Sequence, residues 1–126
     1  MRLTQIRDFS ELQGKILTNI EQTEWDVNDC LVFTCFDGTR YVMTHDQDCC
    51  ESVYLEAIVG DLADLLGTPI LLAEKAYESR VGGGYCDGTQ TWTFYKLRTI
   101  KGSVDIRWHG SSNGYYSEAV YLYELP

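Results

Sequence analysis

Cations are scarce in this sequence: ten Lys and Arg stand against nineteen Asp and Glu, for a formal net charge of −9. A nucleic-acid backbone is held through protein cations, so this balance argues against direct nucleic-acid binding. It favours a basic partner, or else serves solubility alone. The segment Met1-Arg2-Leu3-Thr4-Gln5-Ile6-Arg7-Asp8 lacks the apolar core of a secretory signal. No run approaches the roughly 18 to 20 apolar residues that cross a bilayer. Both absences lead to the expectation of a soluble, cytoplasmic protein with no membrane partner. No CxxC pair occurs among the five cysteines, which excludes a zinc ribbon and a thioredoxin-type motif. An odd cysteine count without a secretion signal points to reduced thiols rather than a disulfide framework. The glycine run Gly82-Gly83-Gly84 is followed by neither a GKS or GKT ending nor a helical pattern, so it is not a phosphate loop. It reads as a flexible hairpin tip, or as a tip presenting Tyr85 and Cys86 to a partner.

Repeats and domain boundaries are absent as well, so residues 1–126 form one domain. Hydrophobic residues at 44% and charged residues at 23% are enough to build a single core. Most of the chain reads as strand. Cys30 to Phe36 and Thr39 to Thr44 flank Asp37-Gly38, a strong short hairpin signal. Ser52 to Val59, Ile70 to Tyr77 and Thr89 to Ile100 are further strands, the first with Val53, Leu55 and Ala57 on one face and Tyr54, Glu56 and Ile58 on the other. Ser10-Glu11-Leu12-Gln13 reads as a one-turn helix with a capping box. Asp61 to Gly67 reads as a short helix that Asp61 caps and Gly67 closes before Pro69. Val104, Ile106 and Trp108 alternate with Asp105, Arg107 and His109, and Asn113-Gly114 is suited to turning the chain into a return strand over Tyr115 to Tyr123. The expected fold is α+β: a single twisted antiparallel β-sheet with one or two short helices.

Chemistry concentrates in His45-Asp46-Gln47-Asp48-Cys49-Cys50-Glu51, set between two expected strands. A turn needs only Gly, Asn, Asp or Ser. Asp46, Asp48 and Glu51 offer oxygen ligands to a hard cation, and His45 with Cys49 or Cys50 offers zinc a mixed site. Thus His45, Asp46, Asp48, Cys49 and Glu51 are the candidate metal ligands, although no cofactor is required. The alternative is that Asp46 and Asp48 cap turns and one of them holds His45. Neighbouring side chains on an extended chain point apart, which hinders a site built from Cys49 and Cys50 together. A cysteine hydrolase using either thiol with His45 is a third reading, with His109 as a more distant base. The surrounding acids oppose it, because they raise a thiol's pKa. Cys30 and Cys35 lie in an apolar run and read as core.

His45 to Glu51, Gly60-Asp61-Leu62 with Gly67-Thr68-Pro69-Ile70, and Phe94-Tyr95-Lys96-Leu97 with Ile106-Arg107-Trp108 and Ser112-Asn113-Gly114-Tyr115-Tyr116-Ser117-Glu118 together resemble a family of small uncharacterised proteins. These are carried mainly by bacteriophages and some of their hosts, and the resemblance spans about residues 30 to 122. It implies no activity; a phage setting makes host takeover or counter-defence the expected context.

The function expected from these observations is that of a small, acidic interaction protein that occupies a basic surface of a host protein. Tyr85, Arg107, Asn113, Tyr115, Tyr116 and Glu118 are the candidate partner-binding residues, and Trp25, Trp92, Trp108, Tyr121 and Tyr123 serve as either anchors or core. The runner-up is a metal- or small-ligand-binding protein built on His45 to Glu51 and Arg107 to Glu118.

Overall fold

A computed structural model describes residues 5–25, 27–82 and 88–126. The strands among them are β1 (Ile6–Arg7), β2 (Leu17–Trp25), β3 (Asn28–Cys35), β4 (Arg40–Thr44), β5 (Ser52–Val59), β6 (Leu72–Val81), β7 (Thr89–Thr99), β8 (Gly102–Ser112) and β9 (Tyr121–Glu124). They form two antiparallel sheets, one in the order β1-β9-β4-β3-β2 and the other in the order β5-β8-β7-β6. Leu31, Phe33, Met43 and Leu122 of the first sheet meet Val53, Tyr95, Leu97, Ile106 and Trp108 of the second in one hydrophobic core. The opposite face of the first sheet is also apolar, with Cys30, Val32, Val42 and Tyr123 packed beside Leu125 and Trp25.

The expected α+β class and single sheet are therefore both corrected: the domain is all-β with two sheets. Its helical segments among the described residues are two 3₁₀ turns, Phe9–Leu12 and Leu62–Leu65. Each is one turn long because a glycine at positive φ soon follows, Gly14 at 87° and Gly67 at 83°. Asp61 caps the second as expected, accepting from Ala63 N–H at 2.9 Å. The cap of the first is Asp8 rather than Ser10, and it accepts from the Ser10 N–H at 2.9 Å.

The single-sheet expectation fails at Ser112. β8 already lies between β5 and β7, so neither of its edges is free to take a return strand. Asn113 Oδ1 accepts from Tyr115 N–H and Ser112 Oγ from Gly114 N–H, at 2.9 and 3.0 Å, and the chain leaves the second sheet. Residues 113–120 cross to the first sheet, where Tyr121–Glu124 alone forms a strand, between β1 and β4.

Two local readings fare differently. The Asp37-Gly38 hairpin forms, with Gly38 at φ 91° and Thr39 N–H donating to Asp37 Oδ1 at 2.9 Å. β5 has its expected limits, but its register shifts between Leu55 and Ala57. That bulge turns Ile58 toward the core together with Leu55 and leaves Glu56 to meet Arg107 on the outer face.

Candidate functional site

The crossover 113–120 runs between two sheets without a ladder of its own, so its buried carbonyls need donors from side chains. Two sets provide them, and a third holds the segment through the Glu118 side chain. His45 Nδ1 donates to Ala119 O at 2.7 Å. Tyr95 Oη and Lys75 Nζ both donate to Val120 O, at 2.6 and 3.0 Å. The carboxylate of Glu118, itself buried, accepts from the hydroxyls of Thr89, Thr91 and Ser112, the Thr91 bond being 2.9 Å. Gly110 makes room for this: a Cβ there would stand 2.9 Å from Glu118 Cβ and 3.1 Å from Val53 Cγ2.

His45 in turn leans on Glu51. Its Nε2 lies 2.7 Å from Glu51 Oε2, and the two residues are only 3% and 5% exposed. Nδ1 faces a carbonyl, which only accepts, and Nε2 faces a carboxylate, so both ring nitrogens are placed to donate. Glu51 also accepts from the backbone N–H of Asp48 and of Cys49, each at 2.9 Å, and from Gln47 Nε2 at 3.1 Å. Burial alone would raise its pKa, but the two N–H groups and the His45 ring outweigh it and hold the carboxyl at about 2. The His45 to Glu51 segment is thus a buried pair wrapped in a turn, and it pins the crossover from one side while Glu118 ties it from another.

Each candidate residue has a definite place. Among the proposed metal ligands, His45 and Glu51 face each other, whereas Asp46, Asp48 and Cys49 are exposed on the turn. Among the described residues, no three His, Cys, Asp or Glu side chains are grouped as a metal site. Cys49 and Cys50 are joined to each other, in place of the expected reduced thiols. The segment bends here rather than running extended, which is why adjacent sulfurs converge. Cys30 and Cys35 are free and buried. Burial, then the charges of Asp29, Glu21 and Glu24, push the Cys30 thiol up to about 11.

Of the candidate partner-binding residues, Asn113 and Tyr115 are exposed on the crossover, with Tyr116 half-buried beside Tyr115 in edge-to-face contact at 5.0 Å. Glu118 is inward, and its hydroxyl partners were not read from the sequence. Arg107 stands apart on the outer face of the second sheet, its Nε 2.6 Å from Glu56 Oε1. His109 shares that face, between Tyr54 and Trp92. Trp108 is core, its Nε1 donating to Met43 Sδ at 3.3 Å. Tyr85 and Cys86 lie outside the described residues. The 45–51 motif reaches the chain one residue past the 107–118 motif, where His45 meets Ala119 O in a packed contact rather than a shared cavity. A groove of about 480 Å³ lies on the other side of the crossover, lined by Tyr77, Thr91, Tyr116, Glu118 and Tyr121.

One charged surface escaped sequence reasoning. β2 is an edge strand: among the described residues its outer side is bridged only at Leu17, to Leu66, and from Leu17 to Trp25 it carries Glu21 and Glu24 and no cation. Thr23, Cys30 and Thr44 stand in one row across β2, β3 and β4, so Glu24 and the 45–51 turn with Asp46 and Asp48 leave the sheet at the same end. Among the described residues, ion pairs occupy Glu11, Glu51, Asp37, Glu56, Glu78, Asp105 and Glu124, and none involves Glu21, Glu24, Asp46 or Asp48. The sequence signal was available: among the described strands, β2 is the one that carries two carboxylates and no cation.

A family model described as a domain of unknown function (DUF7448) matches residues 10–122. No curated protein matches the chain, and no solved structure does. Among the described residues, no helix is long and apolar enough to cross a membrane.

Proposed function

The chain belongs to the DUF7448 family, and we propose that it is a small acidic interaction protein that binds a basic surface on a host protein through the free edge of β2. One observation carries the reading: an unpaired strand edge and the adjacent turn carry Glu21, Glu24, Asp46 and Asp48 with no cation among them. An open edge offers backbone donors and acceptors to an added strand or loop, and like charges along it select for Lys and Arg in the partner. A protein that normally binds nucleic acid presents such a surface, so occupying it would block that binding. This fits a phage-encoded inhibitor acting in the host cytoplasm, in host takeover or counter-defence.

The test is recovery of bound host proteins on the tagged chain from bacterial lysate at low and at high salt, with mass spectrometric identification. A stoichiometric basic partner, lost at high salt and lost on Glu21→Lys with Glu24→Lys, supports the reading. A partner that survives both changes contradicts it.

A second reading rests on the groove beside Glu118. Tyr77, Tyr116 and Tyr121 surround a carboxylate there, a composition suited to a small polar ligand. Metal content and mass of the purified protein, measured on the same preparation, separate a bound metal or small ligand from the macromolecular partner.

A further inference from the structure

The second sheet has a free edge of a different kind. β6 runs from Leu72 to Val81, paired with β7 in one uninterrupted register and, among the described residues, with no strand on its other side. Near that start, Ala73 N–H turns away from β7 to Gln13 Oε1 at 3.1 Å, whereas Gly82 N–H points to Gly88 O at 2.6 Å, on the β7 side. Alternation between these two positions puts the N–H and C=O of Lys75, Tyr77 and Ser79 on the open edge. No proline or bulge guards the stretch. Lys75, the one inward charge, is already bound to Val120 O and lies 4.4 Å from the centre of the Tyr121 ring, so it does not project along the edge.

We propose that β6 pairs with β6 of a second copy, antiparallel about a two-fold axis through Tyr77, to make one continuous sheet across the dimer. A two-fold axis places residues of the same face opposite each other. With the axis at Tyr77, Glu74 faces Arg80 of the second copy on the outer face, twice by symmetry, and Ala76 faces Glu78. The open edge then bonds Tyr77 to Tyr77 and Lys75 to Ser79. Neighbouring registers are worse: an axis at Ala76 sets Glu74 against Glu78, and one at Glu78 sets that carboxylate against itself. Tyr77 is 72% exposed in the single chain and would be covered. β2 does not suit the same use, because every self-pairing there adds carboxylate to carboxylate without a cation.

Sedimentation velocity on the full chain, from low micromolar to submillimolar concentration, tests this. A dimer is expected for the natural sequence. Arg80→Glu and Glu74→Arg should each raise its dissociation constant about tenfold or more, since two symmetry-related pairs change from opposite to like charge. The combined E74R/R80E swap should restore it. Tyr77→Pro removes an edge donor that β7 does not use, so it should give a folded monomer by circular dichroism. A natural chain that stays monomeric throughout, or a dimer that neither charge reversal nor Tyr77→Pro weakens, overturns the proposal.

Discussion

Carboxylates meet opposite fates in two parts of this molecule. At the crossover, Glu51 and Glu118 are 5% and 8% exposed and every oxygen has a donor, from the His45 ring and backbone N–H groups in one case and from three hydroxyls in the other. On β2, Glu21 and Glu24 are exposed and without ionic partners among the described residues. The residues that look most like a reaction centre in the sequence therefore hold the two sheets together, and the plain charges of an edge strand are left over for a partner. A buried carboxylate is retained only where the fold compensates it; an exposed one needs no compensation, and its charge reaches outward.

If that contrast is right, damage to the crossover should cost stability and damage to the edge should not. The largest effect is expected for His45→Ala, which leaves Glu51 buried without the His45 ring and Ala119 O without its donor. A loss of about 3–5 kcal/mol should appear in urea unfolding. The pH dependence should follow Glu51. Its carboxyl is held at about 2 against an ordinary 4.5, so its contribution is present above pH 4.5 and disappears as pH falls toward 2. This amounts to about 3 kcal/mol, and the fall should be shallower in Glu51→Gln. Gly110→Ala should cost about 1–3 kcal/mol by driving a methyl into Glu118 and Val53. Glu21→Lys with Glu24→Lys should shift stability by no more than about 0.5 kcal/mol, because these side chains support nothing in the fold.

Much of the local structure was legible. The Asp37-Gly38 hairpin, both limits of β5, the start of β7 and the Asp61 cap follow from turn chemistry and alternation, which act over a few residues. What was not legible is non-local. Asn113-Gly114 carries a hairpin signal, but only the pairing of β8 with both β5 and β7 shows that no edge remains for a return strand. The bulge at Glu56 sits beside a cross-sheet bond from Leu55 N–H to Asp29 Oδ2 at 2.9 Å, between residues far apart in sequence. For the crossover, His45 and Glu51 were singled out as members of a ligand set because they are close in sequence; that they face each other, with the ring reaching Ala119 O, is visible only in the fold. Thr89, Thr91 and Ser112 did leave a trace: they continue the inward-facing rows of Tyr95 and Trp108 with hydroxyls where apolar residues are expected, the mark of a buried acceptor nearby.

The most direct test of the central claim is the partner recovered at low salt by three proteins side by side: the natural chain, the Glu21→Lys and Glu24→Lys double variant, and Gly110→Ala kept under conditions where it is folded. The acidic-edge account expects the natural chain and Gly110→Ala to hold the same basic protein in equal amount and the double variant to hold little or none. Equal recovery by all three would contradict it.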